Sequence, residues 1–251
     1  MTRLLVSVRD AAEALAAAQA GADFVDLKEP SAGALGALPV ARVAELVALL
    51  RARAPGRPIS ATTGDVDATR VDEILARAWR IGQCGVDYVK VGVDPAGGRD
   101  AALALVAALG DAARAGLPVV PVLVADEGVD DALLRAALRE QAFAALMLDT
   151  RAKRAGSLVQ RVAPRALAAF VARVREAGAL AGLAGALRLA DLAALRSLAP
   201  DFAGFRSAAC AGDRAGALDA RRVRALHEGL RGARDARALV RRPQGAGAAR
   251  V

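Results

Sequence analysis

Three residues stand out for the chemistry they can perform. The chain carries 35 basic side chains, and all but Lys28, Lys90 and Lys153 are arginine. An Ala- and Arg-rich composition of this kind replaces lysine wherever an anonymous positive charge will serve. A lysine that remains marks a place where a guanidinium cannot substitute, because only an amine can be neutralised near pH 7 and attack a carbonyl carbon. Carboxylates lie close by in sequence: Asp26 stands two residues before Lys28, and Asp149 four before Lys153. Amines crowded together out of water lose part of their hold on the proton, and a nearby carboxylate can return or relay it. Lys28, Lys90, Lys153, Asp26 and Asp149 therefore suit imine chemistry on a carbonyl substrate. The competing structural reading pairs each lysine with its neighbouring aspartate in a salt bridge.

The elements that must position these groups follow from hydrophobic periodicity. Strands are expected over residues 4–8, 24–29, 58–63, 88–93, 118–124, 145–150, 180–184 and 202–206. They alternate with helices expected over about 10–20, 39–54, 67–84, 100–116, 130–142, 163–177, 189–198 and 219–230. Eight βα units without a linker predict an α/β fold, a (β/α)8 TIM barrel, as one domain over residues 1–230. A doubly wound sheet would want a glycine fingerprint after its first strand, where Val8-Arg9-Asp10 stands instead.

In such barrels chemistry sits at the C-terminal mouth of the strands. Asp26 and Lys28 share a face and enter the lumen if Val25 and Leu27 face the helices. All three lysines are expected at or just beyond the ends of even-numbered strands. Ser60 and Thr62 share a face of strand three, and Asp65 follows the turn at Gly64, which makes these three candidates for holding substrate. The loops after strands seven and eight are the usual address of a phosphate. They hold Gly185-Ala186 and Arg206-Ser207, small residues that let backbone N–H groups close on an anion, with Arg206 expected to add charge. Asp94 and Asp126 either join the site or cap loops. Cys84 and Cys210 read as small core residues, and His227 as a surface residue away from the mouth.

Composition narrows the function further. Apolar residues make up 55% of the 251 but aromatics only 3%, so the core is built from small side chains. No apolar run reaches the roughly 18–20 residues a membrane span needs, and no secretory segment opens the chain, so a cytoplasmic protein is expected. Two cysteines and one histidine lack the spacing for a zinc site, a His-based triad or a disulfide framework, and no metal is expected. The net charge is +8, but residues 231–251 hold six arginines and one aspartate. That Arg/Ala/Gly-rich stretch is expected to be a disordered tail on a nearly neutral body, so no nucleic-acid partner is expected. A non-catalytic module whose basic tail binds nucleic acid stands as an alternative. The expected partners are a small-molecule substrate and further copies of the chain, as a homo-oligomer.

Several segments, in order, resemble one family. They are Asp26-Leu27-Lys28-Glu29-Pro30, Gly33-Ala34-Leu35-Gly36-Ala37, Ser60-Ala61-Thr62-Thr63-Gly64-Asp65 and Asp87-Tyr88-Val89-Lys90-Val91-Gly92. Met147-Leu148-Asp149-Thr150, Leu183-Ala184-Gly185 and Arg206-Ser207-Ala208-Ala209-Cys210 continue the series. From Leu4 to Leu226 the chain is similar to the (5-formylfuran-3-yl)methyl phosphate synthases of methanofuran biosynthesis and their methylotrophic bacterial relatives. The resemblance implies condensation of two glyceraldehyde 3-phosphate molecules to a phosphorylated furan aldehyde, with loss of phosphate and water and without a cofactor. It implies Lys28 as the Schiff-base lysine and Lys90 as proton acceptor, with Asp26, Asp149 and Lys153 assisting. Ala34 and Ala186 stand where the family commonly has serine, and Ser207 where it has glycine. Another Schiff-base aldolase-type barrel enzyme acting on a sugar phosphate would share the lysines and is the alternative.

Overall fold

Apolar residues at alternate positions, bounded by turn residues, form eight short strands, and helices with one apolar face lie between them. The computed structural model describes residues 1–232, so the tail expected over 231–251 lies outside the described residues from position 233 onward. The first half runs β1 (Arg3–Val8), α1 (Ala11–Gln19), β2 (Phe24–Leu27), α2 (Val40–Arg53), β3 (Ile59–Thr62), α3 (Val71–Gly82), β4 (Tyr88–Val93) and α4 (Arg99–Arg114). The second runs β5 (Val119–Val124), α5 (Asp131–Glu140), β6 (Ala145–Asp149), α6 (Leu158–Arg161), α7 (Pro164–Glu176), β7 (Leu180–Leu183), α8 (Leu192–Leu198), β8 (Phe202–Phe205) and α9 (Ala220–Arg231). The strands pair in parallel and in sequence order, and β8 closes on β1 to complete the barrel.

Two departures from the expected boundaries have local causes. The third helix begins at Val71 rather than near residue 67, because the Asp67 carboxylate accepts from the Thr69 N–H and hydroxyl and fixes a turn there. A short helix, α6, precedes α7 where only loop was expected. No helix among the described residues is long and apolar enough to cross a membrane.

The period-two pleat sorts each strand's side chains into two cores. Leu4, Val6, Val25, Leu27, Val89 and Val91 face the helices in the larger core, while Leu5, Phe24, Val120, Val122, Met147 and Phe202 fill the lumen. Phe24, Phe202 and Tyr88 close the lower end of the lumen, with ring centroids 5.5 Å apart for the two phenylalanines. A strand glycine makes room for this plug: a Cβ on Gly182 would lie 2.2 Å from the Phe202 ring. The alternation that puts these rings at the bottom puts Asp26, Lys28, Lys90 and Asp149 above them.

Candidate active site

Asp26 is the deepest charge. Its neighbours Val25 and Leu27 pack against the helices, so its own side chain enters the lumen, wholly buried. It is fully engaged there: Lys90 Nζ lies 2.7 Å from Oδ1, the Ser60 hydroxyl donates to Oδ1 at 2.6 Å, and the Ser7 hydroxyl donates to Oδ2 at 2.8 Å. The strand register makes this inevitable, since Ser7, Asp26 and Ser60 are direct partners across β1, β2 and β3. Burial alone would push the Asp26 carboxyl upward; the charges of Lys90 and Lys28 and the hydrogen bonds outweigh it and hold the group below the ordinary carboxylate value.

Lys28 sits immediately beyond β2, buried, with its Nζ 3.9 Å from Asp149 Oδ2. Asp149 ends β6 and pairs more closely with Lys153, whose Nζ donates to Oδ1, while the Thr150 N–H also donates to Oδ1 at 2.7 Å. Burial would raise the Asp149 carboxyl as well, and the two lysines override it and lower it. For Lys28 the balance falls the other way. Desolvation pushes its amine down from 10.5 to about 7; Asp149 opposes this, and the positive charges of Lys153 and Lys90 reinforce it. A primary amine in this position is substantially unprotonated near neutrality, the condition for attack on a carbonyl. The two aspartates and three lysines leave one positive charge in excess when all are ionised, which favours an anionic ligand.

The salt-bridge reading and the chemical reading thus both describe this cluster, and they divide between its members. Lys90 and Lys153 are closely paired; Lys28 is the loosely held amine. Lys90 lies in the body of β4, within the strand expected over 88–93.

Above these groups the lumen opens in two steps. A narrow recess of about 40 Å³ is lined by Lys28, Lys90, Lys153 and Asp149 on one side and by Gly185, Ala186 and Ser207 on the other. It leads to an outer chamber of about 880 Å³ between the loops after β2, β3, β4 and β6, within the usual range for small-molecule pockets. Among the described residues the N–H groups of Gly185, Ala186, Leu187, Ser207 and Ala208 have no backbone acceptor. Gly185 and Ala186 hold positive φ angles of 109° and 47°, the first a conformation open chiefly to glycine.

Four of the residues expected to contact substrate have their polar groups engaged by the protein itself. Arg206 borders the recess, and its guanidinium forms a buried pair with Glu13 of α1 at 2.5 Å. Its remaining N–H groups donate to the carbonyls of Ser7, Arg214 and Gly216. Ser60 is spent on Asp26, and the buried Thr62 hydroxyl donates to the Gly36 carbonyl at 2.9 Å. Asp65 borders the outer chamber, yet both its oxygens accept from the Leu35 N–H, holding the β2 loop in place. That loop can close only over glycine, since a Cβ on Gly33 would lie 2.0 Å from Asp65 Oδ2. These four residues build the scaffold of the mouth.

Asp94 and Asp126 cap loops. Asp94 accepts from the Ala96 N–H and pairs with Arg151, and Asp126 accepts from the Ala152 N–H and pairs with Arg161. Cys210 is buried, Cys84 partly so, and His227 packs beside Gly21, away from the mouth. Two residues at the site escaped the sequence reading. Ser7 showed only as one position of an apolar strand. Arg214, in the loop after β8, borders both the recess and the outer chamber; its one available signal was that it follows β8 in the expected phosphate loop.

Residues 4–227 match the family described as 4-HFC-P synthase. The chain is 44% identical over 231 residues to a Methylorubrum extorquens protein provisionally named (5-formylfuran-3-yl)methyl phosphate synthase, covering 91% of this chain and 92% of that one. It is 31% identical over 219 residues to the (5-formylfuran-3-yl)methyl phosphate synthase of Methanosarcina mazei, covering 84% of this chain and 92% of that one. Among solved structures, a monomeric form of phosphoribosylanthranilate isomerase from Thermotoga maritima aligns with a TM-score of 0.60 at 15% identity. That alignment covers 92% of this chain and all of the other, a likeness of fold alone.

Proposed function

Because this chain belongs to the 4-HFC-P synthase family, we propose that it is a lyase joining two molecules of glyceraldehyde 3-phosphate into (5-formylfuran-3-yl)methyl phosphate. Balance requires the release of one phosphate and two waters. The observation that carries this reading is the Lys28 amine, buried in the recess and held near pH 7 by desolvation.

In this reading one triose phosphate, isomerised to its ketone form, binds with its carbonyl in the recess. Lys28 Nζ attacks the carbonyl carbon, and water leaves to give an iminium. The iminium draws electrons from the adjacent carbon, whose proton passes to the Lys90–Asp26 pair, with Lys90 the member that reaches the recess. The resulting enamine pushes out the phosphate as its C–O bond breaks. Loss of phosphate leaves a new enamine, and its terminal CH2 carbon bonds to the ketone carbon of the second triose phosphate, likewise isomerised, the bond that gives the branched carbon skeleton of the product. The primary hydroxyl of the second triose closes onto the iminium carbon, and loss of one water and of the Lys28 amine makes the two ring double bonds, the other water having left when the iminium formed. Asp149 and Lys153 serve as the proton reserve beside Lys28, because both line the recess and share a close hydrogen bond. The free backbone N–H groups of the β7 and β8 loops suit a phosphate.

Borohydride added to the enzyme with glyceraldehyde 3-phosphate is expected to fix a substrate-derived mass on the peptide bearing Lys28. Ultraviolet absorbance of a furan aldehyde should grow in step with free phosphate. An adduct on another residue removes the Lys28 assignment; an open-chain product with no free phosphate favours an aldolase instead.

A further inference from the structure

Two phosphorylated substrates need two anion receptors, and the backbone amides beside the recess make one. We propose that Arg214 is the other: it binds the phosphate of the second triose phosphate, the one that keeps its phosphate in the product, from the junction of the outer chamber and the recess. This inference rests on the reading that two triose phosphates meet here.

Most of the other cations at the mouth are already paired. Lys153 is paired with Asp149, Arg151 with Asp94, and Arg206 with Glu13. Arg154 also borders the outer chamber but is exposed. Arg214 differs from all of these. It is half-buried, reaches from the β8 loop across the mouth to donate from one terminal nitrogen to the Gly33 carbonyl at 2.9 Å, and makes no ion pair among the described residues. Its other N–H groups make no hydrogen bond among those residues. A guanidinium drawn out of water without a carboxylate is unfavourable until an anion arrives, and its planar fork matches a phosphate with two parallel hydrogen bonds. Burial pushes its pKa down, and the more distant Asp149 and Asp65 only partly oppose this.

Position makes the same case. Arg214 is a wall residue of both the recess and the outer chamber. A phosphate held there lies beside the Lys28 adduct, while the body of its carrier still has the larger chamber to occupy. The bond to Gly33 also ties the β8 loop to the β2 loop, so the fork is aimed before the substrate binds.

The test uses the full chain and its Arg214→Met and Arg214→Lys variants. Calorimetric titration with glycerol 1-phosphate, which carries the phosphate but has no carbonyl to react, should show two equivalents bound to the parent and one to Arg214→Met. In furan formation, Arg214→Met should need about 10- to 100-fold more substrate for half-maximal rate, the loss expected for a charged hydrogen-bonded pair. Arg214→Lys should fall between, and borohydride labelling of Lys28 should persist in both variants. Equal stoichiometry and affinity in the parent and Arg214→Met overturn the proposal whatever product the enzyme makes. If the parent makes no furan but the stoichiometry still drops from two to one, the reaction assigned above fails and the Arg214 site stands. Should Arg214→Met not fold by circular dichroism, Arg214→Lys decides by weaker binding of the second equivalent only; unchanged binding overturns the proposal.

Discussion

The two ends of the barrel lumen are built from the same eight strands and filled in opposite ways. At the lower end Phe24, Phe202 and Tyr88 pack with Leu5, Val120 and Ala145, the Arg3 guanidinium lies 4.7 Å from the centroid of the Phe24 ring, and Lys90 borders the small cavity between this layer and the next. Two residues further along the same strands stand Ser7, Asp26, Lys90 and Met147, and beyond them Lys28 and Asp149. The first arrangement gains stability from every apolar area it removes from water. The second must desolvate five ionisable groups, and it answers with pairing: Lys90 to Asp26 at 2.7 Å, and Lys153 to Asp149. One member, Lys28, is left poorly paired, and its lowered affinity for the proton is the result. Stability is concentrated at one end of the lumen and reactivity at the other.

The sharpest way to break this comparison is Lys28→Met. Removing the amine should lower furan formation by roughly 10⁴-fold or more, as loss of a covalent nucleophile does elsewhere, and abolish borohydride labelling. The same change should raise the denaturation midpoint. Lys28 holds its proton up to about 10.5 when unfolded but only to about 7 when folded. The unfolded chain therefore binds the extra proton between those values, and parent stability rises with pH across that window. The gain from Lys28→Met should be full below pH 7 and shrink between pH 7 and 10.5. A variant that is inactive and also less stable at pH 6 would contradict the view that this amine is held against its solvation preference.

Phe202→Ala tests the other end. Deleting a buried ring that packs on Phe24 and fills the space over Gly182 should cost about 3–5 kcal/mol, read from denaturant unfolding. Lys28 labelling should survive in the fraction that remains folded. If labelling is lost while stability is kept, the two ends are not separable.

The charges around Lys28 predict a third pair of effects, opposite in sign. The parent's imine-forming rate should rise with pH through a midpoint near 7, as the amine loses its proton. Asp149 favours the protonated amine, so Asp149→Asn should move the midpoint to lower pH. Lys153 disfavours it, so Lys153→Met should move the midpoint to higher pH, the more so because Asp149 is then left to Lys28 alone. The measurement is the pH profile of single-turnover labelling, and shifts of the same sign in both variants would refute the assignment of charges.

Much of this was legible in the sequence, and the limits have a physical cause. The alternation of Val25, Asp26, Leu27 and Lys28 gave the lumen-facing pair directly, because a strand's period leaves no other choice once one face is apolar. The scarcity of lysine made its three positions informative. The same composition hid Arg214, one arginine among many. The pairing of Arg206 was hidden because spacing along a chain shows which loop a charge occupies but not what meets it there. Its partner, Glu13, is 193 positions away, on the face of α1 that turns toward the β8 loop. Ser60, Thr62 and Asp65 went the same way: a polar residue at a barrel mouth can hold substrate or hold the mouth itself, and only the position of Asp26, Gly36 and Leu35 decides.

Ser60→Ala separates those two jobs with the smallest change. The hydroxyl donates to Asp26 Oδ1 at 2.6 Å, on the oxygen that also receives Lys90. Without it the carboxylate keeps Lys90 and Ser7, so the ion pair persists but loses one of its restraints. The expected outcome is a stability loss of about 1.5–3 kcal/mol, typical of a hydrogen bond to a charged group, and a fall in kcat of less than about tenfold, with KM unchanged. Were Ser60 a substrate ligand, KM would rise while stability stayed near the parent's. Because Ser7 meets the other oxygen of the same carboxylate, Ser7→Ala should repeat the pattern, and the double variant should lose more than the two singles together. That excess would identify Asp26 as an anion shared by three donors, whose work at the reactive end is to fix Lys90 in place.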